Sequence, residues 1–450
     1  MPSFEIDVQT AEPRSPRNGR RAPYASPALR YEVFTDFAAA RRVRARWDAL
    51  VAQLDGDVFA TFDWCEVWWR HFGDGRRLEI HTAALDDDLV AVLPLFRETL
   101  RWGPFALRCV KLVGCDHSNT TCAPTIDPRH VRWVIEQMVE TLARGPEWDI
   151  LHFGELPGYY HDARLQHQAL QGALADRAVS WNPDFHPQMV FDLPDDYESY
   201  LAALPRKERR NLRHDEREIQ KECQAPSAGP SSPSEVTSCF GSLVQLHEAL
   251  WRRRGWLGHF GDFPGVEAFH RDAAEQMRAQ TRLLFIEVGD RGRSVAAEYC
   301  LRFGRRVHWI IGGRLPETSS RIGVGAIVRE SIALNAGQID ALNGYYDYKR
   351  RLGARVVSLQ TLTAEATSVG SRFRLSAMRA ITWLAFQVYF RAWYWHFAPW
   401  VRRHFPSMRW WPLETSIPRR FLRSRFLVRC GRVDQNALAD CGEDVHEQTS

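Results

Sequence analysis

A chain of 450 residues and 51.9 kDa has room for two or three domains at ~150 residues each, and 45% hydrophobic with 25% charged residues excludes wholesale disorder. The net charge of +4 is unevenly spread, because Arg372–Arg432 holds 13 arginines against a single acid, Glu414, and the remainder is net acidic. No uncharged run reaches the ~18 residues of a spanning helix, Met1–Arg21 lacks the apolar core of an export signal, and nine scattered cysteines match neither a disulfide framework nor a zinc spacing, so the reading is a cytoplasmic protein with reduced thiols.

Residues 1–29, rich in Pro, Arg and Ser without periodicity, read as a flexible leader. Apolar spacing predicts helices over Ala38–Leu54 and Asp63–His71, then a β-hairpin of Arg77–Leu85 and Leu89–Phe96 turning at Asp86-Asp87-Asp88. A strand at Leu107–Val113, a helix at His130–Arg144 and a strand at Asp149–Phe153 follow. The second half repeats this order. It has a helix at Phe269–Gln280, strands at Arg282–Val288, Ser294–Phe303 and Arg306–Ile311, a helix at Gly325–Ala336 closed by Gly337, and a strand at Ile339–Leu342. Two equivalent α/β units are therefore expected, 30–195 and 205–365, joined near Leu193–Pro205. Between them lie the basic stretch Arg206–His214, continuing as a charged helix to about Glu222, and the Pro/Ser-rich stretch Ala225–Ser234, which reads as a linker. A helical extension over 372–432 and an acidic tail over 433–450 complete the chain.

Two segments have the make-up of a ligand site. Arg321-Ile322-Gly323-Val324-Gly325 stands between a strand and a helix, where glycines let backbone amides approach a pyrophosphate. The matching stretch of the first half, Asp127-Pro128-Arg129-His130, has no glycine pair. Asp340 to Gly353 then places two carboxylates, three tyrosines and Lys349 after a strand end, where ligands of mixed sheets gather. Asp116-His117-Ser118 has the residue types of a hydrolase triad, but no G-x-S-x-G elbow accompanies it. Cys115, His117 and Cys122 lack a fourth ligand, so no metal is expected.

The order hairpin, strand, GxG helix, D-x-L-x-G strand end and Tyr-Lys resembles the CelD/BcsL-type acetyltransferases of cellulose and exopolysaccharide biosynthesis, a branch of the GNAT superfamily, over about Phe59–Thr363. Tyr348-Lys349-x-x-Leu352-Gly353 is also similar to the F-K-x-x-F-G ending of FemAB-type peptidyltransferases. One departure is Ser320, which stands where the superfamily's anion loop has Gln or Arg. The resemblance implies two tandem GNAT-like domains of mixed α/β sheet, the second binding acetyl-CoA or another acyl-CoA and acylating an amine or hydroxyl. Within it Glu298, a carboxylate on an otherwise apolar strand, is the first choice of general base and His308 the second. Tyr348 would protonate the leaving thiolate, and Lys349 would stabilise negative charge. Arg206, Arg210, Asn211, Asp340 and Gly344 are the acceptor-contacting candidates, with Arg321 to Gly325 on the CoA phosphates.

The acceptor implied is a small molecule or a lipid- or glycan-linked intermediate; no nucleic acid is expected, since the basic clusters accompany no recognition motif. A FemAB-like aminoacyl transfer is the alternative, against which stands the lack of a long helical hairpin between Glu222 and Phe240; a non-catalytic scaffold is the third reading. Ala380–Phe390 is an uncharged run cut off by Arg391 and followed by Trp393-Tyr394-Trp395. That composition predicts either a peripheral contact with the inner membrane or aromatic helices packed on the body or on a partner subunit.

Overall fold

The acidic turn does close a hairpin: Leu85 pairs with Asp88, and Asp86 takes a positive φ of 54°, as a two-residue hairpin turn requires. The computed structural model describes residues 29–428 apart from 118–119, 183–186, 223, 229, 231, 254, 263, 291–292 and 406–416. The expected leader (but for residue 29) and the acidic tail lie outside the described residues.

The first unit runs β1 (Leu29–Phe34), α1 (Phe37–Ala40), α2 (Arg44–Gln53), α3 (Phe62–Phe72), β2 (Arg77–Leu85), β3 (Asp88–Trp102) and β4 (Phe105–Leu112). It continues through β5 (Thr125–Ile126), α4 (Val131–Arg144), β6 (Ile150–Leu156), α5 (Ala163–Ala173) and β7 (Arg177–Asn182). The helix expected over Ala38–Leu54 is broken by a tight turn at Arg41–Val43, which brings Phe37, Val43 and Trp47 all into the core. The second unit runs β8 (Pro187–Asp192), α6 (Tyr197–Ala203), α7 (Arg206–Glu222), β9 (Gln224–Ala228), α8 (Pro233–Arg253), α9 (His259–Asp262) and α10 (Val266–Ala279). Then come β10 (Leu283–Asp290), β11 (Arg293–Phe303), β12 (Arg306–Arg314), α11 (Ser320–Ala333), β13 (Gln338–Asn343), α12 (Asp347–Arg351), β14 (Arg355–Ser358) and β15 (Gln360–Ala366). The stretch expected as a linker over Ala225–Ser234 is instead β9 followed by the start of α8. The open edge of β10 offers unpaired backbone groups, and 224–228 pairs with them.

The two sheets have the same plan. Their orders are β1-β2-β3-β4-β6-β15-β7 and β9-β10-β11-β12-β13-β8-β14, each with one parallel step, β4 beside β6 and β12 beside β13. The strand beside each parallel step comes from the other half of the chain. β8, which lies within the expected first unit, pairs with β13 and β14 in the second sheet, and β15, at the end of the expected second unit, pairs with β6 and β7 in the first. The expected boundaries at 195 and 205–365 therefore do not separate the sheets. Each half is completed by a strand of the other, because a buried sheet edge must find a partner for its backbone groups.

A shared core joins the units: Trp64 and Phe72 of α3 meet Phe269 of α10 at 5.1 and 5.2 Å between ring centres. Arg282 to Asp48 at 2.7 Å adds a cross-unit ion pair. The described residues after β15 form α13 (Val369–Ala385), wider π-helical turns over Phe386–Phe397, α14 (Ala398–His404) and α15 (Ile417–Ser424). α13 docks on the first sheet through Leu375 and Met378 against Leu100 and Leu107. The buried Asp149 takes Arg108 of β4 at 3.0 Å and Arg374 and Ser371 of α13, each at 2.6 Å, and these donors hold it well below the usual carboxylate range against the opposing effect of burial.

Candidate active site

β12 and β13 pair at three positions, Arg306 with Gln338 through His308 with Asp340, after which β12 runs on to Arg314 while β13 is irregular and ends at Asn343. The strands part there. On the α11 side of the parting stand Trp309, Ala341 and Lys349 of α12, whose Nζ donates to the Ala341 carbonyl at 3.0 Å and lies 4.4 Å from the Trp309 ring. Lys349 is buried, and Asp347 is held by Arg350 at 2.8 Å. Tyr348, next to it, is half-buried and packs against the same core, its ring 5.9 Å from that of Tyr346.

Glu298 of β11 points to this same side and is 4% exposed. Its Oε2 accepts a hydrogen bond from Trp309 Nε1 at 2.8 Å. Two glycines make the space: a Cβ at Gly312, opposite on β12, or at Gly323 of α11 would overlap the carboxylate oxygens. Burial pushes the Glu298 carboxyl up to about 8, against the opposing pull of the Trp309 N–H and the charges of Lys349 and Arg314. A carboxyl poised near neutrality beside a buried ammonium, at a gap in a sheet, has the make-up of a proton-transfer site. The first unit lacks this arrangement. Counted from its own parallel step, Leu112 stands where Trp309 does, and the facing strand carries the buried Leu93 and Leu95.

The segment expected as a pyrophosphate loop is helical. Ser319 caps α11, its hydroxyl oxygen accepting from the Arg321 amide, so Arg321 to Gly325 form the first turns of the helix. Gly323 accommodates Glu298, and Gly325 lets α7 approach, with Leu212 against it. Arg321 is held by Asp215 at 2.7 Å, and Ile322 and Val324 face the second core. Ser320, the departure from the family pattern, is thus the first residue of the helix.

His308 is not with Glu298. Successive strand residues point to opposite faces, so while Trp309 faces α11, His308 faces the first unit, fully buried with its ring 4.8 Å from that of Phe59. It stands between Asp57, at 3.7 Å, and Asp340, at 3.5 Å. Asp340, expected to contact an acceptor, is likewise buried there, with Tyr159 Oη 2.9 Å away and the Leu342 amide donating to it at 2.9 Å. Arg306 adds a 3.0 Å pair with Asp57, which burial raises while His308 and Arg306 pull it down. Lys111 occupies the matching place in the first sheet, fully buried with Asp116 at 2.6 Å. These clusters tie the fold together. Asp116 is held by Lys111 and Arg76, and His117, 3.7 Å from Asp116, stacks on Phe72 at 4.7 Å; Ser118 lies outside the described residues.

α7 crosses from α12 to α11: Glu208 lies 3.9 Å from Arg351, and Glu216 pairs with Arg329 at 2.7 Å. Its outer face carries Arg206, Arg209, Arg210, Arg213 and Arg217 around an open groove of about 570 Å³. Arg213 pairs with Glu198 at 2.6 Å, whereas Arg206 and Arg210 are exposed and meet no acid among the described residues. Asn211 is half-buried on the same helix. Gly344, with a φ of 114°, turns the chain after β13, its amide donating to the Pro187 carbonyl at 3.0 Å. Arg209 and Arg213 belong to the basic stretch that the sequence already marks, whereas Trp309 and Arg217 escape the reading of the sequence. The arginines carry a signal, their three-and-four spacing on one helix face, whereas Trp309 reads as an ordinary strand aromatic.

Residues 206–350 match the acetyltransferase (GNAT) domain. This stretch holds α7, Glu298, α11 and Lys349, so the second unit carries the transferase domain and the chain is an enzyme of the acyltransferase class. Comparison with curated proteins gave no match. Among solved structures the chain is similar to FemX, at 9% identity and a TM-score of 0.54, over 74% of this chain and 96% of that one. It is also similar to L-PGS from Bacillus licheniformis (11% identity, 75% and 96% covered, TM-score 0.44) and to a tandem GNAT protein from the clavulanic acid biosynthesis pathway (12% identity, 76% and 99% covered, TM-score 0.40). At these identities the likeness to FemX is one of fold.

Proposed function

We propose that the second unit transfers an acyl group from an acyl-CoA to an amine or hydroxyl of an anionic acceptor, such as a lipid- or glycan-linked intermediate of bacterial polysaccharide or cell-envelope synthesis. The observation that carries this reading is Glu298, a carboxyl raised to about 8 and fixed by Trp309 at the parting of β12 and β13. The acyl-CoA supplies an activated thioester. The gap flanked by Trp309 and Lys349 suits its thioester end, and the arginine face of α7 offers charge for phosphates, either its own or the acceptor's. Glu298 takes the proton of the acceptor as its nitrogen or oxygen bonds to the acyl carbon. Lys349 faces the negative charge that develops there. As the carbon–sulfur bond breaks, Tyr348 is the hydroxyl nearest in sequence to Lys349 that can return a proton to the thiolate.

The test is calorimetric titration with acetyl-CoA and longer acyl-CoAs, followed by single-turnover transfer. Glu298→Gln should bind the donor as the parent does and lose about 10²-fold or more of the chemical rate. No binding of any acyl-CoA would overturn the donor assignment. A FemAB-type aminoacyl transfer is the second reading, favoured by α7 lying against the first turns of α11, where a CoA pyrophosphate would otherwise approach. Filter binding of aminoacyl-tRNA separates the two.

A further inference from the structure

From Val369 to His404 the chain is helical without a break, through α13, the π-helical turns and α14. One side of this rod is buried: Leu375 and Met378 on the first sheet, and Tyr394 beside Trp256, whose loop also contributes the Gly255 carbonyl to Arg402 at 3.1 Å. The other side is bare. Phe373, Trp383, Leu384, Phe397 and Trp400 are each more than half exposed. Among the described residues, all the exposed large hydrophobics but Leu165, Tyr346 and Val356 lie between 369 and 405, so this is one stripe rather than scatter. The π-helical turns keep it in line, since i→i+5 bonding brings residues four to five apart onto one face, as with Trp383, Val388, Ala392 and Phe397.

The charges beside the stripe select its occupant. Residues 369–405 contain no Asp or Glu, and Arg372, Arg391 and Arg403 are exposed along it. A second copy of the same face would set arginine against arginine, which disfavours self-association. No helix among the described residues is long and apolar enough to cross a membrane. Tryptophan and phenylalanine at the headgroup level, with arginines reaching lipid phosphates, is the composition of a helix lying in a membrane interface.

We propose that the 369–404 rod docks the enzyme on an anionic lipid surface through this stripe. The docking is independent of which acyl donor the second unit uses. The test is flotation of the full chain with vesicles of phosphatidylcholine alone or of phosphatidylcholine mixed with phosphatidylglycerol, at low and high salt. Each arginine near the surface contributes about fivefold, so the anionic vesicles should bind at least about tenfold tighter and lose that advantage in high salt. Trp383→Ser with Trp400→Ser, both at exposed positions, should lower binding about tenfold or more with an unchanged thermal midpoint. Equal failure to bind either vesicle, or binding untouched by the double substitution, would overturn the proposal. So would a solution dimer that the double substitution disperses, because a second copy would then cover the stripe. Acyl-CoA titration of the same variant reports separately on the catalytic reading.

Discussion

Replacing Glu298 by glutamine should flatten a pH dependence that the parent carries in both stability and rate. The carboxyl titrates at about 8 in the folded chain against an ordinary 4.5, because it is buried. The folded chain therefore keeps a proton that the unfolded chain releases between these values. Its stabilising share is complete below about 4.5, declines as pH rises, and is gone above about 8. At about 1.36 kcal/mol per unit, the full swing is roughly 5 kcal/mol. Urea unfolding of parent and variant at about pH 5 and about pH 8.5 isolates this group, since other titrations cancel in the difference between the two proteins. The parent should lose several kcal/mol more than the variant across the interval. The transfer rate should rise about tenfold per pH unit up to about 8 in the parent, as the base deprotonates, and stay flat in Glu298→Gln. Parallel pH curves for the two proteins, in stability and in rate, would refute both the burial argument and the assignment of the base.

Gly323→Ala should cost about 1–3 kcal/mol by forcing a methyl onto the Glu298 carboxylate, and adding Glu298→Ala should recover part of the thermal midpoint. Arg206→Ala with Arg210→Ala should leave stability within about 0.5 kcal/mol, as exposed sites do. The same pair should weaken phosphate-bearing ligands and reduce the salt dependence of their binding, measured by titration at two ionic strengths. A fragment of residues 205–365 lacks β8 and carries β15 without its partners, so it should show no cooperative thermal unfolding where the intact chain does.

Much of the local structure was legible from the chain. The Asp86 turn and the paired hairpins follow from alternation and turn chemistry, which act over a few residues, whereas the helix expected to run to Ala336 and close at Gly337 ends at Ala333, with Asn335 taking the left-handed φ of 55°. Glu298 could be singled out for a similar reason, because a carboxylate among Val295, Ala297, Tyr299 and Leu301 must be buried at a cost, and a buried acid without a reason is rare. What lay beyond the sequence was anything that required knowing which strand is the neighbour. Pro187–Asp192 and Gln360–Ala366 are not read as strands from the sequence at all, and their exchange between the sheets is decided by which edge stands open once both halves have folded. His308 and Trp309 are adjacent in the chain, yet one faces a carboxylate pair between the units and the other holds the candidate base. Gly323 and Gly325 carry the pattern of an anion loop, but the cap at Ser319 draws them into a helix, where the absence of a side chain serves packing. The rod at 369–404 packs one face on the body, as one of the two expectations had it, and leaves the other face bare. Composition gives the number of aromatic residues, whereas the surfaces available to receive them determine which ones are buried.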